Sequence, residues 1–171
     1  LETRVKQIEE KDHERDTDIA DIKLRLDTVE MKERDKNIIV TGLPFECKKK
    51  DDVAKALNGL LGTRIYPDDI EQSYKLVKKG TDASAATRTR VTFKEKSMKT
   101  TVVKAKTKLK GKSIWISDDL TAYRSNMAFQ ARQAVRNQQF EQTWVHDGKV
   151  FVKKTGHTRP TKLTSLGDLM E

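Results

Sequence analysis

The chain of 171 residues carries a formal net charge of +9, and charged residues (36%) are as frequent as apolar ones (35%). This length suits a long helix plus one or two small domains. No apolar run approaches the ~18 residues that span a bilayer and no signal peptide is recognisable, so we expect no membrane segment. The single cysteine, Cys47, excludes an internal disulfide and a zinc finger, and it suggests a reducing compartment. Because the sequence starts at Leu1 instead of Met, we expect it to be a fragment.

Residues 1–31 follow a heptad repeat and contain neither Gly nor Pro. The a positions are Val5, Asp12, Ile19 and Leu26, and the d positions are Leu1, Ile8, Arg15, Ile22 and Val29. This spacing predicts a helix whose a/d seam is buried against neighbouring chains in a coiled coil. We interpret the polar pair Asp12 and Arg15 as core layers that fix the register, with local fraying as the alternative.

A short pattern occurs twice within the heptads. Residues 4–9 (RVKQIE) and 25–30 (RLDTVE) both place Arg at g, apolar residues at a and d, and Glu at e. The pattern resembles a trimerisation motif of short parallel coiled coils, in which Arg reaches a neighbouring chain's Glu. We therefore expect a parallel homotrimer; the alternatives are a dimer and a helix packed on its own domain. The predicted trimerisation residues are Arg4, Val5, Ile8, Glu9, Ile19, Ile22, Arg25, Leu26, Val29 and Glu30.

Charge is distributed unevenly along the chain. Residues 1–35 contain 8 Lys and Arg against 12 Asp and Glu, a net charge of −4. Because the whole chain carries +9, residues 36–171 carry +13. A surface this basic most often binds a polyanion, usually nucleic acid. An ordinary basic surface that only confers solubility is the simpler alternative.

Residues 36–119 show the pattern of a small α+β domain. In chain order we predict a buried strand in the stretch 37–44 that is stopped by Gly42 and Pro44, a helix capped by Asp51, strands at 70–77 and 87–93, a helix capped by Ser97 and ended by Gly111, and a strand at 113–117. This βαββαβ order is the ferredoxin-like layout of an RNA-recognition motif, with an antiparallel sheet and both helices on one face.

The two strand motifs that usually bind RNA are altered in this sequence. Ile39 stands where the first motif has an aromatic residue, and Arg88 and Arg90 stand where the third strand has two. We therefore expect guanidinium groups that bind phosphate, and weak sequence specificity, in place of the usual base stacking. An ordinary solvated strand face is the alternative.

A smaller α+β unit is predicted at residues 120–171. Thr121 caps a helix that runs to about Asn137, and two strands flank Asp147-Gly148, a strong hairpin signal. Residues 163–171 are open to a short strand, a helix or disorder. The acidic pair Asp118 and Asp119 is better explained by a strand-end turn than by metal binding.

The chain resembles the first-reading-frame protein of LINE-type retrotransposons (transposase 22-like) and the few-polyhedra (FP) protein of baculoviruses. The resemblance covers nearly the whole chain, and the order of its motifs is more specific than any one of them. The motifs are the two coil repeats and residues 36–44 (KNIIVTGLP), 109–114 (LKGKSI), 117–121 (SDDLT) and 145–153 (VHDGKVFVK).

The resemblance implies a coiled-coil homotrimer at residues 1–34, an atypical RNA-recognition-motif domain at 36–119 and a C-terminal nucleic-acid-binding domain at 120–171. It implies that basic residues in the loop before the third strand, on the second helix and in the C-terminal domain bind single-stranded RNA or DNA. With Arg90 from the strand argument, the candidates are Lys78, Lys79, Arg88, Lys104, Lys106, Arg124, Arg132, Lys153 and Lys154. In the C-terminal helix, Ala128 and Phe129 replace an arginine pair of the mammalian relatives.

The expected function is that of a retrotransposon ribonucleoprotein coat and nucleic-acid chaperone, in cytoplasmic particles and also in the nucleus. The alternative is a structural protein of the few-polyhedra type that assembles virions or occlusion bodies through protein partners. A cellular RNA-binding regulator is a weaker option, because the usual aromatics are missing. The three histidines are scattered and no catalytic motif is present, so we expect no enzyme, no cofactor, no metal and no small-molecule substrate.

Overall fold

The heptad region forms one continuous helix, α1 (Glu2–Glu33), in the computed structural model, which describes residues 1–76 and 86–170. The apolar side chains of the seam are exposed along it, among them Val5, Ile8, Ile19, Ile22, Leu26 and Val29. Asp12 and Arg15 form an exposed ion pair of 3.6 Å within the helix. The predicted helix is therefore confirmed, and these seam residues are exposed. No helix in the described ranges is both long and apolar enough to cross a membrane.

The chain divides into two compact units, Leu1–Glu33 and Arg34–Glu171. The second unit contains seven strands and three α-helices within its described residues. They are β1 (Asn37–Thr41), α2 (Lys50–Leu61), β2 (Ile70–Leu76), β3 (Arg88–Phe93), α3 (Lys96–Ala105), β4 (Trp115–Asp118), α4 (Ala122–Arg136), β5 (Gln142–His146), β6 (Lys149–Lys153) and β7 (Thr161–Lys162). The expected α+β class, with antiparallel sheets, is confirmed.

The first four strands form one antiparallel sheet in the order β2-β3-β1-β4. Alternate strand residues point to one face and pack against α2 and α3, which both lie on that face. This core contains Ile38, Val40, Val91, Phe93 and Ile116 from the strands and Val53, Leu57, Leu61 and Val102 from the helices. Neither α2 nor α3 covers the opposite face of the sheet.

Both predicted helix caps in this region are wrong. Residue Lys49 occupies the N-cap of α2 and Glu95 that of α3, and neither side chain bonds the helix backbone. Asp51 instead lies in the first turn of α2, where a carboxylate stabilises the positive end of the helix dipole. Ser97 lies inside α3, where its carbonyl accepts a hydrogen bond from the Thr101 hydroxyl.

The last three strands form a second antiparallel sheet, β5-β6-β7, with α4 on one face. Thr121 caps α4 as predicted, since its hydroxyl accepts a hydrogen bond from the Arg124 amide. Asp147 and Gly148 both have positive φ, which confirms the tight hairpin. The segment 163–171, for which the sequence left strand, helix and disorder as alternatives, contains a short 3-10 helix, Leu166–Leu169.

The hairpin turn joins the two parts of the second unit. The Gly148 amide donates to Asp118 Oδ2 at 3.0 Å, and Arg124 Nη1 donates to the Gly148 carbonyl at 2.7 Å. Asp118 ends β4 and Arg124 lies in the first turn of α4, so the amide and the carbonyl of one turn residue are both held. The predicted boundary between residues 119 and 120 stays a prediction.

Candidate nucleic-acid interface

The face of the first sheet that lies opposite α2 and α3, here called the outer sheet face, carries both predicted strand arginines. Along β3, Thr89, Val91 and Phe93 are buried, whereas Arg88 and Arg90 alternate with them on the other side. The strand register aligns the side chains of this face in two rows across the sheet. The first row is Trp115, Thr41, Arg88 and Leu76, and the second is Ser117, Ile39, Arg90 and Tyr74.

Two exposed aromatic residues stand on this face, one on each edge strand. Trp115 on β4 is 55% exposed and Tyr74 on β2 is 41% exposed, whereas Ile39 on the central strand is buried. The sequence motifs of the usual RNA-binding sheet concern β1 and β3 only, so they missed both rings. The alternation of Trp115 with the buried Ile116 is the sequence signal that could have placed the indole on the outer face.

Arg88 is exposed and lies in the same row as Trp115, two strands away, a Cα separation of roughly 10 Å at ordinary strand spacing. It forms no ion pair with any described residue. Opposite it on β2 is Leu76, and the chain continues from there to Lys78 and Lys79. These two predicted residues lie outside the described ranges.

Arg90, which was expected to face solvent, is instead held by the protein. Its Nη1 donates to the Tyr74 hydroxyl at 2.6 Å, and its Nη2 donates to Asp119 Oδ1 at 3.2 Å. Its Nε lies 2.9 Å from Asp119 Oδ2 as an ion-pair contact outside hydrogen-bond geometry. Burial opposes the charged form, but these contacts with Tyr74 and Asp119 outweigh it and raise the pKa of Arg90 above its ordinary value. The Arg90 guanidinium is therefore occupied by Tyr74 and Asp119 and is less available than Arg88 to bind phosphate.

Asp119 is the centre of a buried polar cluster at the end of β4. Its carboxylate is 4% exposed and accepts hydrogen bonds from Arg34 Nη1 at 3.0 Å and Asn37 Nδ2 at 2.8 Å, besides the one from Arg90 Nη2. The Asn37 carbonyl in turn accepts from the Thr92 hydroxyl at 2.8 Å. Amide and guanidinium donors thus occupy this carboxylate. Over the described ranges, no three His, Cys, Asp or Glu side chains are grouped in a way that could hold a metal ion.

The predicted lysines of the second helix lie apart from the outer sheet face. Lys104 lies in the last turn of α3, the helix that covers the opposite face, and Lys106 begins the 3-10 helix that follows; both are exposed. Lys104 lines a cavity of about 230 Å³ together with Lys96, Lys99, Asp118 and Asp147.

Sequence reasoning missed Lys96 and Lys99 in this cavity. Lys99 is buried, with its Nζ 3.5 Å from Asp118, and Lys96 lies 2.9 Å from Asp35 and 3.3 Å from Asp147. The hydrogen bond to Asp35, with the weaker one to Asp147, raises the pKa of Lys96 despite burial. Each of these two lysines therefore has an acidic partner.

The predicted residues of the C-terminal part are dispersed. Arg124 is engaged with the hairpin turn, and Arg132 is exposed on α4. Lys153 lies 3.4 Å from Glu141, and Lys154 follows it half-buried. Among the predicted nucleic-acid residues that the structure describes, Arg88 and Arg90 share the outer sheet face, and the others lie elsewhere. The outer sheet face combines an exposed guanidinium, which has no ion pair among the described residues, with two exposed rings, and such a surface can contact phosphate and stack on bases.

Comparisons of the chain with protein-family models and with curated proteins find no significant match.

Proposed function

We propose that the chain binds single-stranded RNA, and single-stranded DNA by the same contacts, through the outer sheet face. The observation that carries the proposal is the row in which the exposed Arg88 shares one face with the exposed Trp115. The guanidinium contacts backbone phosphate, and the indole stacks on bases of any identity. Because phosphate contacts release condensed counterions, binding is salt-sensitive and weakly sequence-dependent. The +13 charge of residues 36–171 supports this assignment.

We assign residues 36–119 to an atypical RNA-recognition-motif domain and residues 120–171 to a C-terminal nucleic-acid-binding domain. The sheet order β2-β3-β1-β4, with both helices on one face, supports the first assignment. The exposed seam of α1 supports a homotrimer, because a stripe of apolar side chains is stabilised by burial against other copies. Three basic heads on one stalk raise the effective concentration of binding sites along a strand. A protein of this design would act as a ribonucleoprotein coat and chaperone of the LINE first-reading-frame type.

Arg88→Glu tests the proposal, with Lys55→Glu as the matched control. Lys55 is exposed on α2, on the other side of the sheet, and its substitution changes the net charge by the same amount. We expect Arg88→Glu to weaken binding of a labelled single-stranded RNA by about tenfold, and Lys55→Glu to weaken it far less. Fluorescence anisotropy at several salt concentrations measures both.

Equal effects of the two variants would contradict a site on the outer sheet face. An assembled protein that binds no RNA even at low salt would favour the alternative, a structural protein of the few-polyhedra type that acts through protein partners.

A further inference from the structure

The second sheet has an outer face of its own, opposite α4, on which aromatic and basic side chains alternate. Val150 and Val152 of β6 point inward to α4, so Lys149, Phe151 and Lys153 point outward. The register places Trp144 of β5 beside Phe151 on this face, and Lys162 of β7 beside Phe151 on its other side. A single row thus contains a tryptophan, a phenylalanine and a lysine.

The two rings form a prepared stacking surface. The ring centroids of Trp144 and Phe151 are 5.8 Å apart with an interplanar angle of 17°, so Phe151 fixes the orientation of the indole. Trp144 nevertheless remains 38% exposed. An indole held flat and partly open to solvent can stack a base without first losing side-chain freedom.

The charged residues of the strands on this face are all lysines. Lys149 and Lys162 are exposed, and the strand residues on this face include no Asp or Glu. The nearby Glu141 precedes β5 and is paired with Lys153. This surface is complementary to a polyanion that has flat apolar rings, which describes a nucleic acid better than an acidic peptide.

A groove beside Trp144 continues the basic surface past the sheet edge. Arg132 and Arg136 of α4 line it together with Gln142 and Trp144 of β5, and its volume is about 660 Å³. Glu141 also lines it, and the Glu141 carboxylate is paired with Lys153. Neither arginine forms an ion pair with any residue that the structure describes. The phosphates that flank a base stacked on Trp144 could therefore contact arginines on one side of β5 and lysines on the other.

We propose that this second outer face, formed by Trp144, Phe151, Lys149 and Lys162, is a separate base-stacking site for single-stranded RNA. The inference rests on the proposed function, since it assumes that the chain binds single strands. In this site, a base stacks on the Trp144 indole, and the phosphates that flank the base contact Lys149, Lys162, Arg132 and Arg136.

The chain contains two tryptophans, one at each proposed site, so fluorescence separates them. Trp115→Phe leaves Trp144 as the reporter and keeps a ring on the first sheet, and Trp144→Phe does the reverse. In the full-length Trp115→Phe protein, we expect single-stranded RNA to quench the emission of Trp144. An abasic strand of the same length, which offers phosphates without bases, should quench it far less.

Affinity gives a second readout. We expect Trp144→Ala to weaken RNA binding roughly five- to hundredfold and Trp144→Phe to retain most of it. Because Trp144→Ala removes the ring stacked on Phe151 and can disturb folding, Lys149→Gln with Lys162→Gln keeps both rings. This pair should lower the salt dependence of binding more than Lys55→Gln with Lys94→Gln, two exposed lysines of the first part.

The outcomes distinguish this inference from the proposed function. RNA binding that quenches Trp115 but not Trp144, with unchanged affinity of Trp144→Ala, overturns the inference and leaves the proposed function standing. Quenching of Trp144 by poly-glutamate but not by RNA overturns it in favour of a protein partner. A protein that binds no RNA at low salt overturns both.

Discussion

At the scale of single residues, the Asp119 carboxylate has the strongest structural consequence. It is buried and accepts from two guanidiniums and an amide, and these donors come from distant parts of the sequence. Removal of its charge would leave Arg90 partly buried without its anion, which costs far more than loss of a surface ion pair.

We therefore expect Asp119→Asn to lower the free energy of unfolding by about 2–4 kcal/mol. Urea denaturation followed by circular dichroism measures this loss. Asp68→Asn, at an exposed position with no such partners, should change stability by less than about 0.5 kcal/mol. A loss of similar size in both variants would show that the cluster contributes no more than a surface charge.

Asp168 provides a pH-dependent contribution near the end of the chain. Its Oδ2 accepts from the backbone amides of Thr164 at 2.8 Å and Ser165 at 3.2 Å. The Thr164 amide is the main cause of the lowered pKa of Asp168, which burial only partly opposes. Since the folded pKa lies below the unfolded value of about 3.9, the carboxylate contributes stability above about pH 4 that is lost as the pH falls through the folded pKa.

Asp168→Asn should accordingly reduce stability at pH 7 by about 1 kcal/mol, and the difference from the unmodified protein should shrink as the pH falls below about 4. Urea denaturation over a series of pH values from neutral to acidic provides the comparison. A difference that stays constant with pH would mean that the carboxylate charge is not the stabilising feature.

The buried ion pairs mark the limit of prediction from sequence at this scale. The sequence predicted Arg88 and Arg90 on one sheet face, because alternation along a strand is a local property. It could not predict that Asp119 holds Arg90 or that Lys99 is buried beside Asp118, since each pair joins residues that only the folded sheet brings together. The exposed rings of Trp115 and Tyr74 were missed for a different reason, because the RNA-binding sequence motifs concern only the central strands β1 and β3.

At the scale of elements, strands were predicted more accurately than helix starts. Runs of β-branched residues such as 87–93 and the Asp147-Gly148 turn determine their structure locally, and the observed β3 differs from the prediction by one residue. A cap contributes only about 1 kcal/mol, so packing of a helix face against the core can move its first residue. Hence α2 and α3 each begin before the residue predicted as their cap.

Gly42 and Gly59 differ in whether the structure has room for a side chain, so the same substitution should have opposite effects on stability at the two positions. Gly42 follows β1 with φ of +101°, and a Cβ there would lie 2.6 Å from the Ser113 carbonyl oxygen. Gly59 lies within α2, and a Cβ there would meet no atom within 4 Å. We expect Gly42→Ala to destabilise the protein by about 2 kcal/mol or more, and Gly59→Ala to stabilise it by about 0.5–1 kcal/mol.

Thermal unfolding of the two variants should therefore shift in opposite directions. A neutral Gly42→Ala would show that the loop near Ser113 can move away at little cost, and that this close approach does not fix the end of β1.

At the scale of the whole molecule, the exposed seam of α1 leads us to expect self-association, and the mass of the protein in solution tests it. Light scattering should give three times the chain mass of 19.6 kDa if the trimer forms. Ile22 is at a d position and is 60% exposed, whereas Leu24 is an exposed apolar residue at f, outside the seam. We expect Ile22→Asp to yield monomers, because a buried unpaired carboxylate is strongly unfavourable, and Leu24→Asp to remain trimeric.

If both variants were monomeric, the cause would be a less stable helix and not the loss of an apolar contact between chains at the seam. A monomeric unmodified protein would contradict the coiled-coil trimer, and with it the proposed gain in affinity from three connected heads.

The turn at Gly148 also gives the protein a built-in probe of its own opening. Amide hydrogens in hairpin turns usually exchange quickly with solvent deuterium, yet the Gly148 amide is buried and bound to Asp118, across from the second hydrophobic core. It can exchange only when the hairpin moves away from the end of β4. Its deuteration rate therefore measures how often the two cores separate, and a bound RNA strand that bridges them would slow that single amide.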